Sequence, residues 1–142
     1  MSTTEGQPVD ATARDVVSVR LPAAGAYLAV LRTTTASLAA RLDFTLDEIE
    51  DLRIAVDEAS AMLIAGAVED ADLTCKFEMS ADSIHIFVST MTTEGSQRQA
   101  PTRDSFAWTV LSALAGEVDA WTDPDGRQTI SLVKHRSRDV AT

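Results

Sequence analysis

Between residues 23 and 67 the hydrophobic positions recur every three or four residues; on either side of that stretch they alternate. Leu46, Ile49, Leu52, Val56, Ala59 and Leu63 make one apolar stripe and predict a helix over 45–67, with Gly66 close to its end. Thr45 followed by Glu48 is a capping box, in which hydroxyl and carboxylate satisfy backbone donors at the helix start. Tyr27, Leu28, Leu31, Leu38 and Leu42 predict an earlier helix over 23–42, although its TTTAS segment has low helical propensity and must be held by packing. Val16, Val17, Val19 and Leu21 suit a strand that Pro22 ends.

Beyond the helices, Leu73, Cys75, Phe77 and Met79 alternate, as do Ile84, Ile86 and Val88, with a turn at 80–83, and predict a hairpin. Residues 89–103 have no apolar pattern and are expected to form a loop. A third helix follows, with Asp104 or Ser105 as N-cap, Phe106, Val110, Leu111 and Leu114 facing inward, and Gly116 closing it. Two last strands, 118–122 and 128–134, flank the turn Asp123-Pro124-Asp125-Gly126. Residues 1–13 are expected to be a polar tail, 14–135 a single domain, and 136–142 a frayed end. The order β-α-α-β-β-loop-α-β-β predicts an α/β two-layer sandwich, with a mixed, mainly antiparallel sheet and helices on one face.

Composition narrows what such a domain does. The 142 residues carry 22 acids against 12 bases, a net charge of −10, which argues against direct nucleic-acid binding and favours a basic protein partner. Aromatics are only 5% of the chain, so Ala, Val, Leu and Ile must build the core. Cys75 is the only cysteine, which excludes a disulfide framework and suits a reducing compartment. No apolar run reaches membrane-spanning length and the N-terminus lacks signal-peptide character, so a cytoplasmic setting is expected.

His85 and His135 lack metal-ligand spacing, and there is no P-loop or GxGxxG. The chemistry therefore centres on the second helix. Asp51, Ala55, Glu58, Met62 and Ala65 share another of its faces, which is either a solvated surface or the wall of a pocket. Asp43, Asp47, Glu48, Glu50, Asp51, Asp57 and Glu58 crowd together with Arg53 as local counter-charge, which suits the solvated alternative.

The segment LRIAVDEASAMLIAGA resembles the N-box of the GHKL (Bergerat-fold) ATPases, and more narrowly the anti-sigma factor serine kinases of the RsbW and SpoIIAB type. Leu42 to Ile49 fits that family's helix start, and Ile54-Ala55-Val56-Asp57-Glu58-Ala59 fits its box. The resemblance implies a Bergerat fold and gives Glu58 the position of the general base, which accepts a proton from a partner's serine hydroxyl. One turn later, the family's magnesium-binding asparagine is Met62 here, and a thioether is a poor ligand for a hard cation. The adenine-reading aspartate corresponds to Thr90 and the first glycine after it to Thr92. The glycine-rich segment before the next helix is Arg103-Asp104-Ser105-Phe106-Ala107-Trp108, where Asp104 would repel a triphosphate and the aromatics are expected either to fill nucleotide space or to join the core.

ATP and magnesium are thus cofactors of the family, while the substitutions predict a degenerate nucleotide site and no metal site in this chain. The resemblance also gives Arg32 the role of an arginine on the first helix that contacts partners. The expected function is an anti-sigma factor that sequesters an RNA polymerase sigma factor and is released by an anti-anti-sigma factor with a STAS domain, acting as a homodimer. The alternative is an active serine kinase that phosphorylates the anti-anti-sigma factor.

Overall fold

Residues 15–93 and 102–137 are described in a computed structural model. The tail at 1–13, most of the loop at 89–103 and the last five residues lie outside the described residues. Strand β1 (Asp15–Pro22) leads through a 3-10 turn (Gly25–Tyr27) into α1 (Leu28–Arg41), and α2 (Leu46–Ala65) follows. Strands β2 (Asp72–Met79) and β3 (Ser83–Met91) form the hairpin; α3 (Phe106–Ala115), β4 (Glu117–Thr122) and β5 (Arg127–His135) complete the fold. The sheet order is β1-β2-β3-β5-β4, and every pairing is antiparallel.

Alternation along the strands explains why the helices gather on one side. Val17, Phe77, Ile86, Leu132 and Val118 line up across the five strands, and the next row is Val19, Cys75, Val88, Ile130 and Ala120. Their side chains are buried or half-buried against Leu31, Leu52, Val56, Ala59, Leu63 and Leu111 of the helices. Burying this apolar face drives association of the two layers. Among the described residues no helix covers the opposite face.

The TTTAS segment holds its helix through packing and back-bonding: Thr35 is fully buried and donates to the Leu31 carbonyl at 2.7 Å, and Thr34 donates to Val30 at 2.8 Å. Asp43, in the left-handed region at φ 61°, makes the sharp turn between α1 and α2. The α2 cap is as expected: the Thr45 hydroxyl accepts from the Glu48 amide at 3.1 Å, and Glu48 Oε1 accepts from the Thr45 amide at 2.8 Å.

Two expectations about orientation fail. Leu46 is 84% exposed, because it sits in the first turn of α2 before the helix meets the sheet. Phe106, expected inward, is also 84% exposed at the start of α3, while its neighbour Trp108 is buried. His135 is the last residue of β5, and Ser137, inside the segment expected to fray, bonds to Glu48 through both its amide, at 2.8 Å, and its hydroxyl.

Cys75 is fully buried in the sheet core, and desolvation pushes its thiol far above the ordinary range. We expect no alkylation of the folded protein at pH 8 and complete labelling in denaturant, as read by intact mass.

Candidate functional site

The site implied by the resemblance lies where one side of α2 meets the end of β3 and the approach to α3. Core residues Leu52, Val56, Ala59 and Leu63 fix the rotation of α2. That rotation turns Asp57 and Ser60 toward α1, and Asp51, Ala55, Glu58 and Met62 toward the opposite side of the helix. Ala55 is fully buried, Met62 half-buried and Glu58 exposed at the rim. This face is thus part of the core at Ala55 and open to solvent at Glu58. Lys134 anchors its lower end, donating to the Leu114 carbonyl at 2.9 Å and standing 3.8 Å from Asp51.

The floor of this region is polar. Thr90 and Gln128 face each other across β3 and β5, and Thr122 faces Gln128 from β4. All three occupy helix-facing positions, continuing the alternation of the apolar rows. The Thr90 hydroxyl is buried and donates to the Asp72 carbonyl at 2.7 Å. Gln128 Nε2 donates to Thr122 Oγ1 at 3.3 Å. The Thr92 hydroxyl donates to the Gly126 carbonyl at 2.9 Å, tying β3 to the β4–β5 turn, where Gly126 adopts φ 97°. The strand runs on past Val88 into the segment expected to be a loop, so Thr90 lies within β3 and Thr92 just beyond its end. Gln128 and Thr122 were not singled out from the sequence, although the strand alternation places both on the same face.

Asp104 stands apart, fully exposed before α3, with Thr102 donating to its Oδ1 at 2.6 Å. That bond and its own backbone amide hold the carboxyl below the usual range, so it is charged at neutral pH. Ser105, the observed N-cap of α3, accepts from the Trp108 amide at 3.1 Å, and the Arg103 guanidinium lies 4.9 Å from the Trp108 ring centre. Trp108 is part of the fold here and Phe106 is not.

These residues do not fit ATP and magnesium in the manner the family implies. Thr90 offers a single neutral hydroxyl where the family has a carboxylate; its proton goes to the Asp72 carbonyl, and its oxygen keeps its accepting lone pairs in a fully buried position. Met62 offers sulfur where a hard cation needs oxygen. Asp104, which the resemblance aligns with the glycine-rich phosphate segment, carries a negative charge instead. Among the described residues, no group of three His, Cys, Asp or Glu side chains could hold a metal ion.

Arg32 lies on the other side of α2. Its Nη1 donates to both carboxylate oxygens of Asp57, at 2.9 and 3.0 Å, and joins α1 to α2. The sequence placed Arg32 on the first helix without revealing this partner. On the helix-free face, a cavity of about 270 Å³ is walled by His85, Ser131 and Val133, with His85 Nε2 2.9 Å from Ser131 Oγ. The sheet separates this cavity from Glu58.

No protein-family model matches the chain. It is 36% identical over 123 residues to the anti-sigma-F factor RsbW of Mycobacterium tuberculosis, an alignment covering 85% of this chain and 70% of that protein. It is 31% identical over 81 residues to the serine-protein kinase RsbW of Bacillus velezensis, and 31% identical over 78 residues to that of Bacillus subtilis. These alignments cover 55% and 53% of this chain, and only 51% and 49% of the Bacillus proteins, so the chain spans about half the length of those relatives. Among solved structures, the RsbU and RsbW domains of Rv1364c from Mycobacterium tuberculosis match with a TM-score of 0.67 at 16% identity, over 88% of this chain and 33% of that one. That match speaks for the fold alone.

Proposed function

The chain belongs to the RsbW family, and from that premise we propose that it is an anti-sigma factor whose kinase chemistry is reduced. It holds an RNA polymerase sigma factor in a complex, so that the sigma factor is unavailable to polymerase, and gives it up to an anti-anti-sigma factor. Homodimerisation and a cytoplasmic setting belong to the same reading. No helix among the described residues is long and apolar enough to cross a membrane.

The observation that carries this reading is a contrast between the two sides of α2. On one side Arg32 remains over one-third accessible, as a partner contact requires. On the other, the Thr90 hydroxyl at the adenine-reading position is bonded within the fold. A general base at Glu58 contributes nothing without a positioned phosphate donor. The chain's net charge of −10 also favours association with the basic surface of a nucleic-acid-binding partner.

The test is capture of each sigma factor of the source organism by the tagged full-length chain. We expect one to bind, and Arg32→Ala to weaken that complex roughly tenfold or more, as truncation of an interfacial arginine does. Failure to capture any sigma factor would point to another client. Addition of magnesium, ATP and the anti-anti-sigma factor examines the kinase alternative, which the exposure of Glu58 favours. Phosphate transfer that disappears in Glu58→Gln would replace the reduced-site reading with an active kinase.

A further inference from the structure

Arg32 and Asp57 are 25 positions apart and come from different helices, yet one guanidinium nitrogen reaches both oxygens of the carboxylate. The side chains are 38% and 36% accessible, so the pair lies at the surface without being fully solvated. The bond uses Nη1, the nitrogen on the same side as Cδ. Nε and Nη2 form the other edge of the guanidinium, the parallel fork that matches a carboxylate with two hydrogen bonds. Neither makes a hydrogen bond to any described residue.

We propose that Asp57 is the positioning residue of Arg32, holding its guanidinium in one orientation with Nε and Nη2 left for the protein partner. This inference rests on Arg32 being a partner contact and adds what holds that contact ready. A free arginine on a helix surface must have its side-chain torsions immobilised on binding, and that loss subtracts from affinity. Asp57 imposes most of this order in the unbound protein. The rest of the outward surface of α2 carries Asp47, Glu50 and Glu58, all exposed, and its Arg53 is engaged by Glu50 at 2.8 Å. A partner that meets this acidic surface with bases finds Arg32 held at a fixed place, and that fixed cation sets the register of the complex.

The opposite role for Asp57 is a competitor that occupies Arg32 and must be displaced. The two roles predict opposite signs. Using the full-length chain and the sigma factor it captures, positioning predicts that Asp57→Ala weakens binding roughly threefold to tenfold, mainly through faster dissociation. Asp57→Glu should restore part of the loss. In an Arg32→Ala background, Asp57→Ala should change affinity less than about twofold, since the two residues act as one unit. Unchanged or tighter binding by Asp57→Ala, or a full additive loss in the Arg32→Ala background, overturns the proposal.

A second measurement needs no partner. Nitrogen-15 relaxation of Arg32 Nε should show a rigid side chain in the wild-type protein and a mobile one in Asp57→Ala. Equal mobility in both overturns the positioning role even where binding is seen. Absence of any sigma partner with a rigid Arg32 would instead fault the anti-sigma reading and leave the positioning role supported.

Discussion

Replacing Phe77 with alanine is expected to lower the free energy of unfolding by about 4 kcal/mol, the largest effect of any substitution considered for this chain. Phe77 is fully buried at the centre of β2, paired with Val17 on one side and Ile86 on the other. Its ring belongs to the apolar row that crosses the whole sheet beneath the helices. With aromatics at only 5% of the chain, few other side chains of that volume are available to collapse into the space it leaves. The loss combines the transfer energy of the ring with an unfilled cavity. Urea denaturation followed by circular dichroism should show the midpoint moving with little change in slope, and melting should fall by roughly 10–15 °C for a domain of this size. Phe77→Leu should recover more than half of the loss. A deficit below about 1.5 kcal/mol for the alanine variant would mean that the helical layer closes down on the sheet far more readily than its packing implies.

The second large effect is expected at Glu48. This carboxylate is only 7% exposed and serves two parts of the chain: it accepts from the Thr45 amide at the start of α2 and from the amide and hydroxyl of Ser137 after β5. Burial alone would raise its pKa, but the bonds from Ser137 and Thr45 together outweigh that effect and hold it below the ordinary value. Glu48→Ala removes charge-assisted bonds from the Thr45 and Ser137 amides and the Ser137 hydroxyl, at a cost of about 2 kcal/mol.

A carboxyl whose folded pKa is depressed stabilises the fold fully above its unfolded pKa, near about 4.3, and that contribution is lost as pH falls from there through the folded pKa. Glu48→Gln should therefore flatten the acid limb of the stability profile while lowering the plateau at neutral pH. Chemical denaturation at a series of pH values between 3 and 7 reads both effects. An acid limb as steep as that of the wild-type protein would remove Glu48 from the explanation.

The same residue shows how far the sequence carries. The Thr45–Glu48 capping box was legible because both partners lie within one helical turn, where spacing alone fixes geometry. Hairpin β2–β3 was legible for a similar reason: strict alternation with a polar turn leaves one register that buries Leu73, Cys75, Phe77, Ile84, Ile86 and Val88 together. The second bond of Glu48, to Ser137, spans 89 positions and leaves no local pattern. Arg32–Asp57 has the same character, since periodicity puts each residue on its own helix but does not say which faces meet.

Leu46 and Phe106 mark another limit. Both fit a helical apolar stripe, yet each stands at the first residue of a helix, where the chain has not reached the layer that would cover it. Within the candidate site, Glu58 and Met62 could be placed by counting along α2. That the Thr90 hydroxyl is already bonded to Asp72 follows only from β2 and β3 lying side by side.

The sheet order has a kinetic consequence. Strands β2 and β3 are adjacent in the chain, as are β4 and β5, so each pair closes a short loop and forms rapidly. The β3–β5 ladder runs from Ser83 opposite His135 to Met91 opposite Arg127, and it is the seam that joins the two pairs into one sheet. Its strands are separated in sequence by the whole of α3 and β4. Zipping that seam brings together residues up to 52 positions apart, and the loop entropy is lost before the contacts are gained. The β1–β2 ladder spans more still, from 50 positions at Pro22 opposite Asp72 to 64 at Asp15 opposite Met79, so these two ladders carry most of the loop-closure cost. The polar floor of the candidate site, where Thr90 faces Gln128, therefore depends on a long-range ladder rather than on either hairpin alone.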